Sequence, residues 1–375
     1  MTISKPGQIL VDARPLIDPA GGGIPRVTHQ LLIALIDKYP EIEWTFVTTG
    51  MKPVALPKPF CDLPTVSHCH IRIPNKIWSA LCILGTASID RSASKKTGIH
   101  FDVAILPNLG FSGFLEIPYA LILHDLSFHI HPGWFSKKMQ LWHLAVNPKE
   151  LAGRADRVFC VSETTAHDAH SYLKIPQDHL RVFHPQIPAE IDRDTNILSS
   201  TPRPYALVLG GGDPRKNTAT AYDAIRALRE DERFQNLHLV HVGACHESRS
   251  FLSRKKNPAF SEPWMISLPH PTDAELQSLY EHASAFLYPS WYEGFGLPLH
   301  EASRFGIPCV ASTHGALPET APKGTVFAPP AKPQIWTRAI REILLHPDLH
   351  KTSFDARMTE TDLQAFGEWL GEKGG

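Results

Sequence analysis

Two glutamates, Glu293 and Glu301, flank a glycine turn in the segment 291–306, which reads WYEGFGLPLHEASRFG. The end of an apolar run, the glycines and an early proline predict a strand, a turn and then a helix that begins at Leu297. Backbone amides at such a helix start attract anions, and glycine lets a phosphate approach the chain closely. The segment therefore predicts a phosphate site at Gly296 and Leu297, with Glu301 roughly 6 Å further along the helix.

Carboxylates are poor neighbours for a phosphate, so the two glutamates are expected to bind hydroxyl groups on either side of the charged group. A nucleotide-sugar carries hydroxyls on both sides of its diphosphate, so one carboxylate would meet the ribose and the other the sugar. In a simpler interpretation both are solvated charges near the positive end of a helix, where acidic residues are favoured. The pair alone leaves both interpretations open.

A basic pair, Arg215 and Lys216, follows the apolar run YALVL and the glycines 210–212. Such a pair emerges at the carboxyl end of a strand, where open α/β sheets bind ligands. Two fixed cations facing a diphosphate would stabilise the charge that grows on a departing phosphate and could replace a metal ion. The alternative is a solvated loop. A dinucleotide fingerprint does not fit, because GGGDP lacks the G-x-G-x-x-G spacing and the acidic residue expected on a following strand.

A second glycine turn, with Gly22 and Gly23, precedes a helical pattern in the first half of the chain. Its amides could close over a diphosphate from the opposite side. Pro25 removes one amide from this turn, and an ordinary helix entry explains the glycines equally well.

Histidines cluster in HDLSFHIHP, where His124 ends the apolar run YALIL. An extended run would place alternate side chains on one face and allow His129 and His131 to join His124 around a metal ion. No carboxylate or cysteine completes a tetrahedral set at a familiar spacing, so no metal site is predicted. The neighbouring side chains at 68–70, in SHCHIR, would alternate between the faces of a strand, which favours an ordinary structural role.

Apolar runs alternate with helical patterns along almost the whole chain, which is typical of α/β folds with parallel sheets. Several runs are apolar throughout, as in strands that helices cover on both faces. Ten runs are predicted strands: QILVDAR, EWTFVTT, FDVAILPN, YALILHD, RVFCVS, YALVLGGG, LHLVHVG, WMISLP, SAFLYPS and PCVAS.

Helices are predicted over residues 27–39, 136–153 and 218–230, where apolar residues recur at three- and four-residue spacing. Segments 51–64 and 90–98 are interpreted as loops, and 367–375 as a frayed end.

The pattern is lost over residues 187–205, where proline, serine and aspartate accumulate, and this predicts a domain boundary. We expect a first domain over 1–198 and a similar second domain over 199–348, facing each other across a cleft. A helical tail over 349–375 could return to the first domain.

Length, charge and cysteine usage limit the classes of function that are possible. The 375 residues include 37 Lys and Arg against 38 Asp and Glu, a formal charge of -1, so a dedicated nucleic-acid binder is not expected. An apolar content of 43% is ordinary for a globular protein, and no run approaches the roughly 18 apolar residues of a spanning helix. The chain start lacks the pattern of a secretion signal, and the six scattered cysteines indicate reduced thiols. A cytoplasmic protein is expected.

The segment around Glu293 and Glu301 resembles the E-x-x-x-x-x-x-x-E signature of retaining glycosyltransferase family 4, including its EGFGLP core and a following strand matched by GIPCVAS. GGGDPRKN resembles the glycine loop and Arg-Lys pair of that family, and HPTDAELQSLYEHASAFLYPS resembles its approach to the signature. HDLSF and RADRVFCVSETTAHD resemble segments of its first domain. The resemblance spans most of the chain and is densest over residues 205–320.

This family implies an α/β GT-B fold of two Rossmann-like, doubly wound parallel-sheet domains. The second would hold most of a nucleotide-diphosphate-sugar donor and the first an acceptor. By position, Glu301 would bind the ribose hydroxyls, Glu293 and His124 the transferred sugar, and Asp125 would orient the acceptor or its loop. The donor would also be contacted by Gly22, Gly23, Gly294, Phe295, Gly296 and Leu297. The implied catalytic residues are Arg215, Lys216, Glu293 and His124.

The expected activity is a retaining, metal-independent sugar transfer, without a cofactor, from a nucleotide-diphosphate donor to an acceptor hydroxyl in polysaccharide or glycan assembly. The family implies a front-face substitution in which the departing phosphate takes the acceptor proton. A nucleotide-sugar epimerase or a phosphorylase on the same architecture is an alternative, and a binding module without turnover is another. The intact basic pair and glutamates argue against the last. The donor base, the sugar and the acceptor are not fixed by the sequence.

The acceptor is indicated only by IPNKIWSALCIL and HPGWFSKKMQLWHLAVNPK, which mix aromatic residues with lysines. Such a mixture suits a lipid-linked saccharide or a peripheral contact with the inner face of the cell membrane. A buried core beneath solvated lysines explains the spacing equally well, and the near-neutral chain has no large basic field. The residues concerned are Trp78, Trp134, Phe135 and Trp142 with Lys76, Lys137, Lys138 and Lys149.

Overall fold

The computed structural model describes residues 7–18, 22–187, 201–243, 262–354 and 359–373. The chain forms two compact units, Met1–Gln186 with Arg357–Gly375, and Ile187–Ala356. The predicted boundary between residues 198 and 199 lies outside the described residues. The second predicted boundary, after Asp348, falls inside the second unit.

The first unit contains a sheet of seven parallel strands in the order β3-β2-β1-β4-β5-β6-β7. Strands β1, β4, β5 and β6 lie in its interior. Every residue of these four strands is buried except the first residue of β1, Gln8, and the first residue of β6, Arg157. The strands are β1 Gln8–Asp12, β2 Glu43–Thr49, β3 Val66–Ile71, β4 Val103–Leu106, β5 Tyr119–Leu123, β6 Arg157–Cys160 and β7 Leu180–Val182.

Helices of the first unit connect these strands or follow the last of them. They are α1 Gly23–Lys38, α2 Asn75–Ile83, α3 Ile89–Thr97, α4 Ser127–Ile130, α5 Lys137–Val146, α6 Pro148–Gly153 and α7 Glu163–Asp168. The C-terminal helix of the chain, which also belongs to this unit, is described below. Short 3-10 turns cover Arg14–Ile17, Phe60–Asp62, Pro132–Trp134 and Gln177–His179, and a π turn covers Ala169–Leu173.

The second unit contains six parallel strands in the order β10-β9-β8-β11-β12-β13. Alternate residues of β8 join two different apolar clusters, so helices cover both faces of this sheet. The strands are β8 Tyr205–Leu209, β9 His238–Val242, β10 Met265–Leu268, β11 Ala285–Tyr288, β12 Cys309–Ser312 and β13 Val326–Ala328. The helices are α8 Thr218–Leu228, α9 Asp273–His282, α10 Leu297–Ser303, α11 Leu317–Thr320 and α12 Pro333–Leu345, with 3-10 turns at Pro214–Lys216, Glu232–Phe234 and Pro347–His350.

All ten predicted strands are present, which confirms the α/β prediction. In each sheet the strand order reverses once, between β1 and β4 and between β8 and β11. Ligands of open α/β sheets bind at the carboxyl ends of the strands beside such a reversal. Strands β7 and β13 have three residues each and were too short to be recognised from the sequence.

The predicted loop at 90–98 is wrong, because Ile89–Thr97 forms α3. Only Ile89 and Ala93 supply apolar contacts, one turn apart, and Gly98 closes the helix with φ +75°. The predicted helix over 136–153 is broken in two, because Asn147 adopts a left-handed conformation just before Pro148.

The predicted frayed end at 367–375 is also wrong over its described part, because α13 spans Glu360–Lys373. The rings of Phe366 and Phe159 of β6 stack with their centres 3.7 Å apart. Trp369 donates a hydrogen bond from Nε1 to Asp156 Oδ2 at 2.8 Å. These tertiary contacts hold the helix in place; it lies within the expected helical tail 349–375 and belongs to the first unit. Within the described ranges, no helix is both long enough and apolar enough to cross a membrane.

Candidate active site

A basic 3-10 turn, Pro214–Lys216, follows β8 in the second unit. Asp213 begins the turn by accepting a hydrogen bond from the Arg215 amide at 2.9 Å. Gly210 has φ +154°, and a Cβ at this position would lie 2.3 Å from Lys216 Cβ. The loop therefore needs a glycine where the lysine side chain crosses it.

Lys216 projects to the end of the neighbouring strand β11. Its Nζ lies 2.7 Å from Glu293 Oε1 and 3.2 Å from the Tyr288 hydroxyl, and 5.3 Å from the centre of the Tyr288 ring. The lysine and glutamate side chains are only 24% and 13% exposed. Two predicted catalytic residues are thus brought together at the carboxyl ends of adjacent strands.

Tyr288 completes this cluster, although sequence reasoning did not select it. Burial, with the negative charges of Glu293 and Glu301, raises the pKa of Tyr288 well above its usual value. The phenol therefore stays protonated at neutral pH. In the sequence, only its position at the end of a strand, just before the signature segment, could have indicated that Tyr288 belongs to the site.

Arg215, on the same turn, forms an ion pair with Asp213. Its guanidinium contacts both carboxylate oxygens, with Nη2 2.8 Å from Oδ2. Burial alone would raise the pKa of Asp213, but the hydrogen bonds and charge of Arg215 lower it. The Arg215 carbonyl accepts a hydrogen bond from the Trp291 amide at 2.7 Å, which ties the basic turn to the segment before Glu293.

The backbone of Glu293 is held from the other side by the turn after β12. Ala316 donates its amide to the Glu293 carbonyl at 2.9 Å. Gly315 has φ +63°, and a Cβ there would lie 2.7 Å from both the amide nitrogen and the carbonyl oxygen of Glu293. Only glycine allows this approach, a requirement that the sequence did not reveal.

The predicted donor-binding turn is buried over Gly294–Gly296, with Leu297 partly exposed. Gly296 precedes α10 with φ +97°, and a Cβ there would lie 2.6 Å from Leu317 Cδ2. Phe295 stacks on His300 at 4.8 Å, and its carbonyl accepts a hydrogen bond from the Thr320 hydroxyl. The glycine of the turn is required for packing against α11.

Glu301 lies within α10, one helix after the cluster. The Tyr280 hydroxyl of α9 donates a hydrogen bond to Glu301 Oε2 at 3.1 Å. Glu301, like Glu293, contributes to the raised pKa of Tyr288.

In the first unit, His124 directly follows β5. One imidazole nitrogen, Nε2, donates to the Pro107 carbonyl at 2.8 Å, and burial lowers the pKa of the ring. Asp125 Oδ1 accepts hydrogen bonds from both the amide and the hydroxyl of Ser127, at 2.8 and 2.6 Å. His124 is therefore a neutral, fixed ring, and Asp125 is bonded to the start of α4; the predicted roles of both residues stay predictions.

Gly22 and Gly23 lie at the start of α1, and both are exposed. Gly23 lines a cavity of about 380 Å³, named here the polar cavity, at the carboxyl ends of the adjacent strands β2, β1 and β4. Polar and aromatic side chains line it, among them Asp12, Arg14, Thr49, Asn75, Asn108 and Trp142.

An ion pair at the end of β1 shapes this cavity. Arg14 Nε lies 2.7 Å from Asp12 Oδ1, and its Nη1 and Nη2 donate to the Phe111 carbonyl at 2.9 Å and the Ser112 hydroxyl at 3.1 Å. Asp12 is only 4% exposed. Sequence reasoning missed both residues, because they fell inside the predicted strand QILVDAR.

The metal alternative assumed an extended run through HDLSFHIHP, whereas Ser127–Ile130 forms α4. Across the described ranges, no three His, Cys, Asp or Glu side chains are placed to hold one metal ion. His68 and His70 both contact the Thr48 hydroxyl, at 2.8 and 3.0 Å, on one face of β3.

Comparison with known proteins relates the chain to sugar-transferring enzymes. Residues 191–359 match the family described as glycosyl transferases group 1. O-antigen chain mannosyltransferase B of Escherichia coli is 27% identical over 215 residues, which cover 55% of this chain and 56% of that protein. The chain thus spans about half the length of that relative.

A second relative, O-antigen chain mannosyltransferase RfbU of Salmonella typhimurium, is 34% identical over 255 residues, or 67% of this chain and 69% of that protein. Among solved structures, Anabaena Alr3699/HepE in complex with UDP-glucose superposes with a TM-score of 0.67 at 17% identity, covering 97% of this chain and 99% of that one. At that identity the likeness concerns the fold, and it confirms the predicted GT-B fold.

Proposed function

This chain belongs to the glycosyl transferases group 1, and from that premise we propose that it moves a sugar from a nucleoside-diphosphate donor to an acceptor hydroxyl with retention of configuration. The observation that carries the proposal is the cluster of Lys216, Tyr288 and Glu293 at the carboxyl ends of two adjacent strands. It joins a cation for phosphate oxygens to a carboxylate for sugar hydroxyls in the part of the chain that matches the family.

In the proposed reaction, the acceptor oxygen forms a bond to the anomeric carbon on the face from which the diphosphate leaves. The bond between that carbon and the phosphate oxygen breaks, and the departing phosphate takes the acceptor proton. Lys216 stabilises the charge that develops on the phosphate, which is more negative in the transition state than in the bound donor. Arg215, held by Asp213, adds positive potential from the same turn.

Glu293 binds the hydroxyls of the transferred sugar, and Glu301 binds those of the ribose. Their environments support this division. Glu293 touches the phosphate-binding lysine, whereas Glu301 is held by Tyr280 on a different helix. Because the basic turn already supplies the fixed charge of Lys216, with Arg215 beside it, we further propose that the transfer proceeds without a metal ion.

The polar cavity of the first unit is the proposed site of the acceptor sugar. Carboxylate and amide groups beside aromatic rings are the combination that binds a pyranose, whose hydroxyls need polar partners and whose C–H faces stack on rings. Asp12, Asn75, Asn108 and Trp142 provide these groups here. His124 follows the next strand, β5, and contacts the transferred sugar as a neutral ring.

Mannose is the proposed sugar, because two relatives in the family are named O-antigen chain mannosyltransferases. The proposed product is accordingly a surface polysaccharide or its precursor. We propose that the protein acts at the inner face of the cell membrane.

A panel of nucleotide-sugars tests the function. We expect GDP-mannose or another nucleoside-diphosphate mannose to raise the melting temperature, since a ligand at about 100 times its Kd adds roughly 2.7 kcal/mol. The transferred sugar should be α-linked by NMR, because the donor is α-linked and configuration is retained. Release of an epimerised sugar, or dependence on free phosphate, would instead indicate an epimerase or a phosphorylase. No stabilisation by any nucleoside diphosphate would contradict the proposal as a whole.

A further inference from the structure

Tyr288, the last residue of β11, is the member of the cluster with Lys216 and Glu293 to which the proposed reaction assigns no role. It is 1% exposed. Its ring stacks on that of Phe286 in the same strand, with the ring centres 5.7 Å apart. A Cβ at Gly296 would lie 3.7 Å from Tyr288 Cε1, so the ring also packs beside the predicted donor-binding turn. The phenol is therefore a fixed group within the proposed donor site.

The Lys216 side chain is held at both ends. Its Cβ and Cγ pass so close to Gly210 that a Cβ on this glycine would lie 2.3 Å and 2.8 Å from them. At the other end, Nζ donates hydrogen bonds to Glu293 Oε1 at 2.7 Å and to the Tyr288 hydroxyl at 3.2 Å. An ammonium has three N–H donors. Among the residues that the structure describes, these two acceptors fix two of the donors, and the third remains for a phosphate oxygen.

The Tyr288 hydroxyl must act as the acceptor of its bond with Lys216, because an ammonium has no lone pair. Burial raises the pKa of Tyr288, and the charge of Glu293 and a hydrogen bond to this carboxylate raise it further. The phenol therefore keeps its proton, for which Glu293 is the acceptor, and offers a lone pair to Lys216. A phenylalanine at position 288 would keep the ring but remove this link between the cation and the carboxylate.

We propose that Tyr288 is a positioning residue for the sugar transfer, whose hydroxyl holds the Lys216 ammonium in the direction in which it stabilises the departing phosphate. This role rests on the proposed function. A lysine anchored only by Glu293 would still attract the diphosphate of the donor, but it would face the developing charge in fewer of its conformations. The loss of the hydroxyl therefore lowers kcat more than it weakens donor binding.

Tyr288→Phe tests this role, and Tyr205→Phe is the matched control. Tyr205 is also buried in the second unit, and its hydroxyl donates to the Leu279 carbonyl at 2.8 Å, so each change removes one buried hydroxyl. We expect kcat of Tyr288→Phe to fall at least about 10-fold, as for the loss of one hydrogen bond to a charged group. The Kd of GDP-mannose, measured by calorimetry, should change less than about 3-fold. Tyr205→Phe should keep the kcat of the wild type.

A double-mutant cycle separates a role through Lys216 from a direct contact between Tyr288 and the donor. In the Lys216→Ala protein, Tyr288→Phe should change kcat less than about 2-fold, because no ammonium is left to direct. A further fall of about 10-fold in that background would overturn the inference, and so would wild-type kcat in Tyr288→Phe alone. An equal fall in Tyr205→Phe would also overturn it, since the effect would then follow from lost stability. Absence of mannosyl transfer by the wild type from any nucleoside-diphosphate mannose would overturn the proposed function itself, and this role with it.

Discussion

Lys216 Nζ lies 2.7 Å from Glu293 Oε1, which joins two residues 77 positions apart in one partly buried ion pair. Each partner is a proposed contact of a different part of the donor, the lysine to the phosphate and the glutamate to the sugar. The two groups also flank the phenol of Tyr288. A bound donor would offer a phosphate partner to the lysine and hydroxyl partners to the glutamate.

Replacement of Lys216 by alanine is expected to lower turnover about 100- to 1000-fold, because the lost charge acts on the developing anion. Donor affinity should fall less. Steady-state kinetics with saturating donor measures the effect, and Lys323→Ala, an exposed lysine of the same unit, is the control. Wild-type turnover in Lys216→Ala would remove this lysine from the mechanism.

Substitutions of the two glutamates should change different kinetic constants. Glu301→Ala should raise the donor KM about 10- to 100-fold with little change in kcat, because a ribose contact is equal in ground and transition states. Tyr280→Phe, which removes the hydroxyl that donates to Glu301, should have a smaller effect in the same direction. Glu293→Ala should mainly lower kcat. The opposite division would mean that the assigned roles are exchanged.

Gly315→Ala is expected to lower turnover without touching any proposed ligand contact. Its Cβ would lie 2.7 Å from the backbone of Glu293, so the carboxylate must shift. Gly98→Ala is the matched control, because Gly98 also has a positive φ, +75°, but nothing within 4 Å of the added carbon. Both variants should lose about 1 kcal/mol or more of stability, but only Gly315→Ala should lose activity. Equal activity in the two variants would show that Glu293 tolerates displacement.

The stability of the protein should fall in mild acid partly through His124. Burial lowers the pKa of this ring below its ordinary value of 6.5, so between the lowered pKa and 6.5 the unfolded chain binds more protons. The folded state is accordingly destabilised as the pH falls from above 6.5 through this window. The melting temperature of the wild type should therefore drop more between about pH 7.5 and about pH 5.5 than that of His124→Gln.

Glutamine at position 124 retains a donor for the Pro107 carbonyl but does not titrate. The control His167→Gln replaces a histidine whose side chain is 78% exposed. Parallel melting curves for the wild type and His124→Gln would exclude the proposed contribution of His124.

The proposed membrane contact predicts binding to phosphatidylglycerol vesicles at low salt and weaker binding at high salt, since each lysine near an anionic surface contributes about 1 kcal/mol. Lys137→Glu with Lys138→Glu should abolish cosedimentation. Lys95→Glu with Lys96→Glu, an exposed pair on α3, should not. No binding at low salt, or binding that is indifferent to the substitutions at Lys137 and Lys138, would favour a soluble acceptor instead.

The aromatic residues that suggested this contact are not uniformly available for it. Trp78 is only 1% exposed and belongs to the core, with its Nε1 bonded to the Phe111 carbonyl. For Trp78, the core interpretation of the sequence pattern is the correct one. The exposed apolar side chains are instead leucines and isoleucines of the same helices, at positions that helical spacing alone could not separate from the buried ones.

The sequence by itself determined the two α/β sheets, since uninterrupted apolar runs such as YALILHD are stable only between helices. It also located Glu293, Lys216 and the turn at Gly296, because a glycine before a helix and charges after a strand are local signals. Tertiary structure alone decided that Lys216 meets Glu293 and Tyr288, since strand order brings the ends of β8 and β11 together.

Tertiary structure likewise decided that the chain end forms the helix α13, because its Phe366 and Trp369 are buried against β6. It also decided the polar cavity around Asp12 and Arg14, and the exposed surface of Leu144. Each of these depends on residues distant in sequence that meet only when the sheet forms, and no spacing along the chain encodes such a contact.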